Sequence, residues 1–85
     1  MFGVYDDIRG WYDDLSKNNQ LLLWQLFSSY LNNNEINLCM SEVRKGKHDL
    51  FEIHYNYGFL DKYQIYFQQV IRKINDMGDE NESYN

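Results

Sequence analysis

The chain has 85 residues, a formal net charge of −5 and a sequence pI near 4.7. This acidic balance argues against general affinity for nucleic-acid phosphates, because such binding requires clustered lysine and arginine. The lone cysteine excludes an internal disulfide and favours a reducing compartment. No apolar run is long enough to span a bilayer and no signal-peptide pattern is visible, so the sequence predicts a cytoplasmic protein that does not enter membranes.

Two helices are predicted in the first part of the chain. In the first, from about Val4 to Leu15, apolar residues recur at helical spacing along one face. The second, from about Gln20 to Leu31, is apolar over more than one stripe, which is typical of a central helix or of one that carries an interface.

The middle of the chain shows a different periodicity. In residues 51–59 the odd positions are apolar or aromatic and the even positions are polar or glycine, a period of two that predicts a β-strand. Residues 36–41 alternate in the same way, and a turn at 44–47 follows. The simplest interpretation is a β-hairpin of residues 36–44 and 48–57.

A third helix is predicted from Asp61, as N-cap, to Met77, with an apolar stripe along its length. Residues 78–85 are predicted to form a disordered acidic tail. The expected fold is therefore α+β, in the order α-α-β-β-α and in two layers, with residues 1–77 as one compact domain. The free edges of the hairpin would be covered if two copies paired as a homodimer.

No catalytic, metal or cofactor site is predicted. His48, Glu52 and His54 share one face of the second predicted strand and could hold a metal, but no further acidic or cysteine ligand is fixed nearby, so both histidines are interpreted as solvated. Cys39 has no base beside it in sequence and is interpreted as a small buried hydrophobe. We therefore expect a protein that is not an enzyme.

Candidate partner-binding residues are acidic or aromatic. Four carboxylates lie on the polar side of the first helix, and three aromatic residues are not required by the predicted apolar stripes. Together they are Asp6, Asp7, Asp13, Asp14, Trp24, Tyr57 and Phe59. Such a surface suits a partner protein with a basic patch.

The chain is rich in residues with AT-rich codons and lacks alanine and proline, which is typical of a small gene from an AT-rich bacterium or from a phage or plasmid in one. With the small size and negative charge, this suggests a regulator or inhibitor from a mobile element that binds a host protein. The alternative is a winged-helix-like DNA-binding regulator, in which residues 35–43 would be a helix and Arg44–His48 a basic tip.

Overall fold

The computed structural model describes the backbone of residues 2–84 and the side chains of residues 5–77. Every regular element in this range is helical, and no strand occurs between residues 2 and 84. The elements are α1 (Phe2–Asp13), α2 (Lys17–Ser28), α3 (Asn33–Arg44), α4 (Leu50–Asn56), α5 (Phe59–Lys62) and α6 (Gln64–Tyr84). The predicted α+β class and its β-hairpin are therefore wrong.

The first strand of the predicted hairpin, residues 36–44, lies within α3. This helix begins with a complete capping box: the Asn32 side chain accepts a hydrogen bond from the Glu35 N–H at 2.9 Å, and the Glu35 carboxylate accepts one from the Asn32 N–H at 2.9 Å. A capping box satisfies two N–H groups that a helix start leaves without partners. Cys39 is buried on the inner side of α3, whereas Leu38 and Met40 are exposed, so the alternation was not that of a half-buried strand.

The second predicted strand, residues 48–57, lies mostly within α4. Asp49 caps this helix, because its carboxylate accepts a hydrogen bond from the Glu52 N–H. Phe51 and Ile53 are buried, but Tyr55 and Tyr57 of the same parity are exposed. Gly58 then separates α4 from α5 with φ of 78°, a left-handed conformation that favours glycine.

The remaining boundaries shift by a few residues. Ser16, and not an asparagine, is the N-cap of α2. Asp61 lies inside α5 instead of capping the C-terminal helix, which begins at Gln64. This helix extends to Tyr84 and not only to the predicted end at Met77, so it overlaps the predicted tail of residues 78–85. The side chains of residues 78–85 lie outside the described range, and disorder there stays a prediction.

The core lies between α2 and α6, which contact each other more extensively than any other pair of described helices. Trp24 of α2 stacks on Phe67 of α6, and Tyr30, just beyond α2, stacks on Tyr66 near the start of α6. Phe27 is completely buried between the two helices. The buried apolar residues are Tyr12, Leu23, Trp24, Phe27, Leu31, Cys39, Phe51, Ile53, Phe59, Leu60, Phe67, Val70 and Ile74.

A buried carboxylate joins α3 to α5. Burial alone would raise the pKa of Glu35, but hydrogen bonds from the Lys62 ammonium at 2.7 Å, the Asn32 N–H and the Tyr63 hydroxyl at 2.8 Å outweigh it and lower that pKa. Glu35 is therefore a structural carboxylate, and each of its oxygens accepts at least one hydrogen bond. None of the helices in the described range has both the length and the hydrophobicity needed to cross a membrane.

Candidate functional site

A groove of about 360 Å³ runs between α1 and α4. Its walls combine carboxylates with aromatic rings, and Arg9 is the single cation among them. The lining residues are Tyr5, Asp6, Arg9, Asp49, Phe51, Glu52 and Tyr55. We call this the α1–α4 groove.

Arg9 is already occupied by the protein's own carboxylates. Its guanidinium donates two hydrogen bonds to Asp49, at 2.9 and 2.8 Å, and lies 3.2 Å from Asp13. The same guanidinium sits 5.1 Å from the centre of the Phe51 ring. Hydrogen bonding to Asp49 raises the pKa of Arg9, and the guanidinium lowers the pKa of Asp49, so both stay charged. This clamp fixes α1 against the N-terminus of α4.

Two carboxylates of the groove have no such role. Asp6 and Glu52 are both exposed, and neither forms an ion pair within residues 5–77. Glu52 contributes only its backbone N–H to the cap of α4. Their negative charges are therefore available to a cation from outside the molecule.

Aromatic rings flank these carboxylates. Tyr5 and Tyr55 meet edge to face, with ring centroids 5.3 Å apart. The Tyr5 hydroxyl donates to Asp61 of α5, and burial together with this hydrogen bond raises its pKa to about 12. Tyr55 is 45% exposed. Rings held in this way present faces that attract a cation through their quadrupole.

A second groove, of about 420 Å³, lies between α3 and α4, and we call it the α3–α4 groove. Asp49 and Glu52 line both this groove and the α1–α4 groove. Here Glu42 accepts hydrogen bonds from Lys47 at 2.9 Å and from the Tyr57 hydroxyl at 3.0 Å. The Lys47 hydrogen bond lowers the pKa of Glu42 to about 2, and Tyr57 acts in the same direction. The lining residues are Glu42, Lys47, His48, Asp49, Glu52, Ile53, Asn56 and Tyr57.

The four predicted carboxylates of the N-terminal region are all exposed. Asp6 lines the α1–α4 groove, whereas Asp7 and Asp14 line neither groove. Asp13 is paired with Arg9. The structure therefore brings one of the four to a concave surface and leaves the others on open helix or turn.

The three predicted aromatic residues separate into core and surface. Trp24 is only 6% exposed, and its indole N–H donates to the Tyr12 hydroxyl at 2.8 Å. Phe59 is also buried, with Tyr57 stacked on it at 5.4 Å. Tyr57 is exposed and lines the α3–α4 groove. A partner could reach Tyr57 but not the rings of Trp24 and Phe59 in this structure.

The histidines and the cysteine do not come together. His54 is buried with its ring stacked on Trp24 at 4.2 Å, and its Nδ1 lies 2.6 Å from the Leu50 carbonyl. His48 is exposed in the α3–α4 loop. Burial raises the pKa of the Cys39 thiol to about 11, which disfavours the thiolate that a nucleophile needs. Within the described residues, no group of three or more His, Cys, Asp or Glu side chains could hold a metal ion.

Sequence reasoning did not select Tyr5, Glu52 and Tyr55. Glu52 and Tyr55 were assigned to a strand, so their proximity to α1 could not be derived. The available signal was the Asp49-x-x-Glu52 spacing, which is typical of a helix start. A helix from residue 50 places Glu52 and Tyr55 on the same side, three residues apart.

Comparisons with known proteins supply no further assignment. No protein-family model matches the chain, and neither the curated proteins nor the solved structures contain a significant match.

Proposed function

We propose that this protein is a non-enzymatic binding protein that recognises a basic surface of a partner protein through the α1–α4 groove. The observation that carries the proposal is the pair of unbridged carboxylates, Asp6 and Glu52, in a groove with the Tyr5 and Tyr55 rings. The overall charge of −5 would steer a basic partner toward the molecule.

The chemistry of the groove suits an arginine or lysine side chain. Its cationic head would lie between the carboxylates of Asp6 and Glu52, and its aliphatic stem would pack on the tyrosine rings. The rings are already positioned by Asp61 and by their mutual contact, so little side-chain entropy would be lost on binding. Tyr57 extends the same surface into the α3–α4 groove.

A regulator or inhibitor from a phage or other mobile element, acting on a host protein, is the biological role that we propose. We place it in the cytoplasm, because the single Cys39 thiol is buried without a disulfide partner.

The test compares two double variants with equal change of charge. Asp6→Asn with Glu52→Gln neutralises the groove, whereas Asp7→Asn with Asp14→Asn neutralises carboxylates that line neither groove. Each is immobilised and exposed to lysate from an AT-rich bacterium. We expect a partner that is retained by the wild type and the control pair but lost by the groove pair. Equal loss from both pairs would show that general charge, and not this groove, holds the partner.

A second candidate is a DNA-binding regulator, and one observation favours it. Residues 33–44 do form a helix, as that hypothesis required, and Asn33, Asn37 and Arg44 are exposed on it. The described residues contain no strand that could form a wing, and the net charge is unfavourable. A gel shift with genomic fragments at low salt decides between the two. Salt-sensitive retention that Arg44→Ala abolishes would favour the DNA-binding candidate.

A further inference from the structure

Two segments of the α2–α6 layer are free of charge. Residues 18–34 and residues 63–71 contain no acidic, basic or histidine side chain, although a quarter of the whole chain is charged. They include nearly all of α2 and residues 64–71 of α6, and these two helices contact each other more extensively than any other pair in the described range. The charges that adjoin the first segment are those of Lys17, the first residue of α2, and Glu35 of α3, and Arg72 follows the second segment within the first half of α6. Lys62, just before the second segment, is bound to Glu35.

Apolar side chains are exposed on this layer. Tyr30 stacks on Tyr66 with ring centroids 4.5 Å apart, yet both remain more than a third exposed. Ile65, adjacent to Tyr66, is 69% exposed, the highest value of any large hydrophobic residue in the described range. We call Tyr30, Ile65 and Tyr66 the uncharged patch. Exposed apolar surface of this kind marks an interaction site when it is contiguous.

We propose that the uncharged patch is an interface with a second copy of this chain. Two copies that each carry a charge of −5 repel one another, and this repulsion is least where the facing surfaces hold no carboxylate. A basic partner, by contrast, would find no counter-charge here. The interface is therefore independent of the α1–α4 groove and of the function proposed for it.

The polar residues around the patch are also self-complementary. Gln64, Gln68 and Gln69 are exposed on α6, and each amide carries both a donor and an acceptor. The tyrosine hydroxyls have the same property. Across a two-fold axis each side chain can meet its own copy or a like neighbour and still form hydrogen bonds, as an isologous interface requires. A specific dimer buries about 800 Å² on each partner, roughly an eighth of the 6104 Å² accessible surface of this chain.

The experiment measures molar mass by sedimentation equilibrium of the full chain over a wide range of concentration. We expect the wild type to shift from monomer to dimer as concentration rises, with no loss of dimer in high salt. Ile65→Glu and Ile65→Lys should each be monomeric, and mixing them in equal amounts should restore the dimer through opposite charges. Ile65 is mostly exposed, so these variants should keep the helical circular dichroism of the wild type.

Met40→Glu is the matched control, because Met40 is 46% exposed on α3, outside this layer, and the substitution adds the same charge. It should dimerise like the wild type. A wild-type chain that stays monomeric at all concentrations would overturn the proposal. So would a dimer that Ile65→Glu leaves intact, or one that Met40→Glu disrupts equally.

Discussion

The α2–α6 layer and the α1–α4 surface are held together by different forces. In the layer, uncharged aromatic and aliphatic side chains such as Phe27 and Ile74 are almost fully buried. At the α1–α4 surface, the contacts between helices include partly exposed polar links, among them Arg9 with Asp49 and Tyr5 with Asp61. Salt screens exposed ion pairs, whereas the burial of apolar surface is not weakened by this screening. The layer therefore supplies stability, and the surface has charge available for binding.

The largest loss of stability is expected when the Trp24 indole at the centre of the α2–α6 layer is removed. Trp24→Ala should lower the free energy of unfolding by about 3–5 kcal/mol, because it leaves a cavity among Phe27, Phe51 and Phe67. Urea unfolding measures this change, and Trp24→Phe, with a smaller cavity, should lose less. Tyr55→Ala, at the exposed surface, is the control and should lose clearly less than Trp24→Ala. Equal effects at the two positions would contradict the division into core layer and binding surface.

A smaller effect is expected at the joint between α1 and α4. Asp49→Ala removes the N-cap of α4 and the partner of Arg9 together. We expect a loss of about 1–2 kcal/mol, mostly from the cap, because exposed ion pairs contribute little. Asp14→Ala, which removes an exposed carboxylate that caps no helix, should change stability by less than about 0.5 kcal/mol. A loss for Asp49→Ala that disappears in high salt would instead assign the effect to the ion pair.

The pH dependence of stability also distinguishes a buried core residue, His54, from an exposed one, His48. Burial lowers the pKa of His54 below its usual 6.5, so the folded state binds this proton less readily than the unfolded state. The neutral ring therefore contributes stability above pH 6.5 that is lost as the pH falls through the folded-state pKa.

The measurement is the difference between wild type and His54→Gln in urea unfolding at pH 7.5 and at mildly acidic pH. The wild type should lose more stability on acidification than the variant does. His48→Gln, at an exposed position, should follow the wild type at every pH. If the two variants behave alike, burial of His54 does not control the acid response.

Whether a secondary-structure element could be predicted from the sequence depended on how many residues its hydrophobic periodicity covers. The apolar stripes of α1, α2 and α6 extend over several turns, and all three helices were expected: α1 and α2 within a few residues of their observed bounds, and α6 with an end at Met77 instead of Tyr84. The segment 51–59 is too short for its period of two to exclude a helix, and in the structure Tyr55 and Tyr57 are exposed. Two local signals favoured helices: Asn32 and Asp49 each stand three residues before a glutamate and cap the helix that follows.

The site was predictable only in part for the same reason. Asp6 could be selected because the helical spacing of α1 was correct, and Tyr57 because it lies outside the core. Glu52 could not be placed beside Asp6, since that proximity arises from α4 packing near α1 and from the Arg9–Asp49 clamp. Trp24 is buried partly against the ring of His54, which the predicted hairpin placed on the solvent side.

The central claim is that the charged α1–α4 groove, and not the uncharged patch, binds the partner. The most direct test is retention of the captured lysate protein on immobilised wild type, on Asp6→Asn with Glu52→Gln, and on Ile65→Glu, compared at equal loading. The account predicts loss on the groove variant, by about tenfold or more in affinity, equivalent to about 1.4 kcal/mol, and retention on Ile65→Glu. Retention on the groove variant together with loss on Ile65→Glu would contradict it.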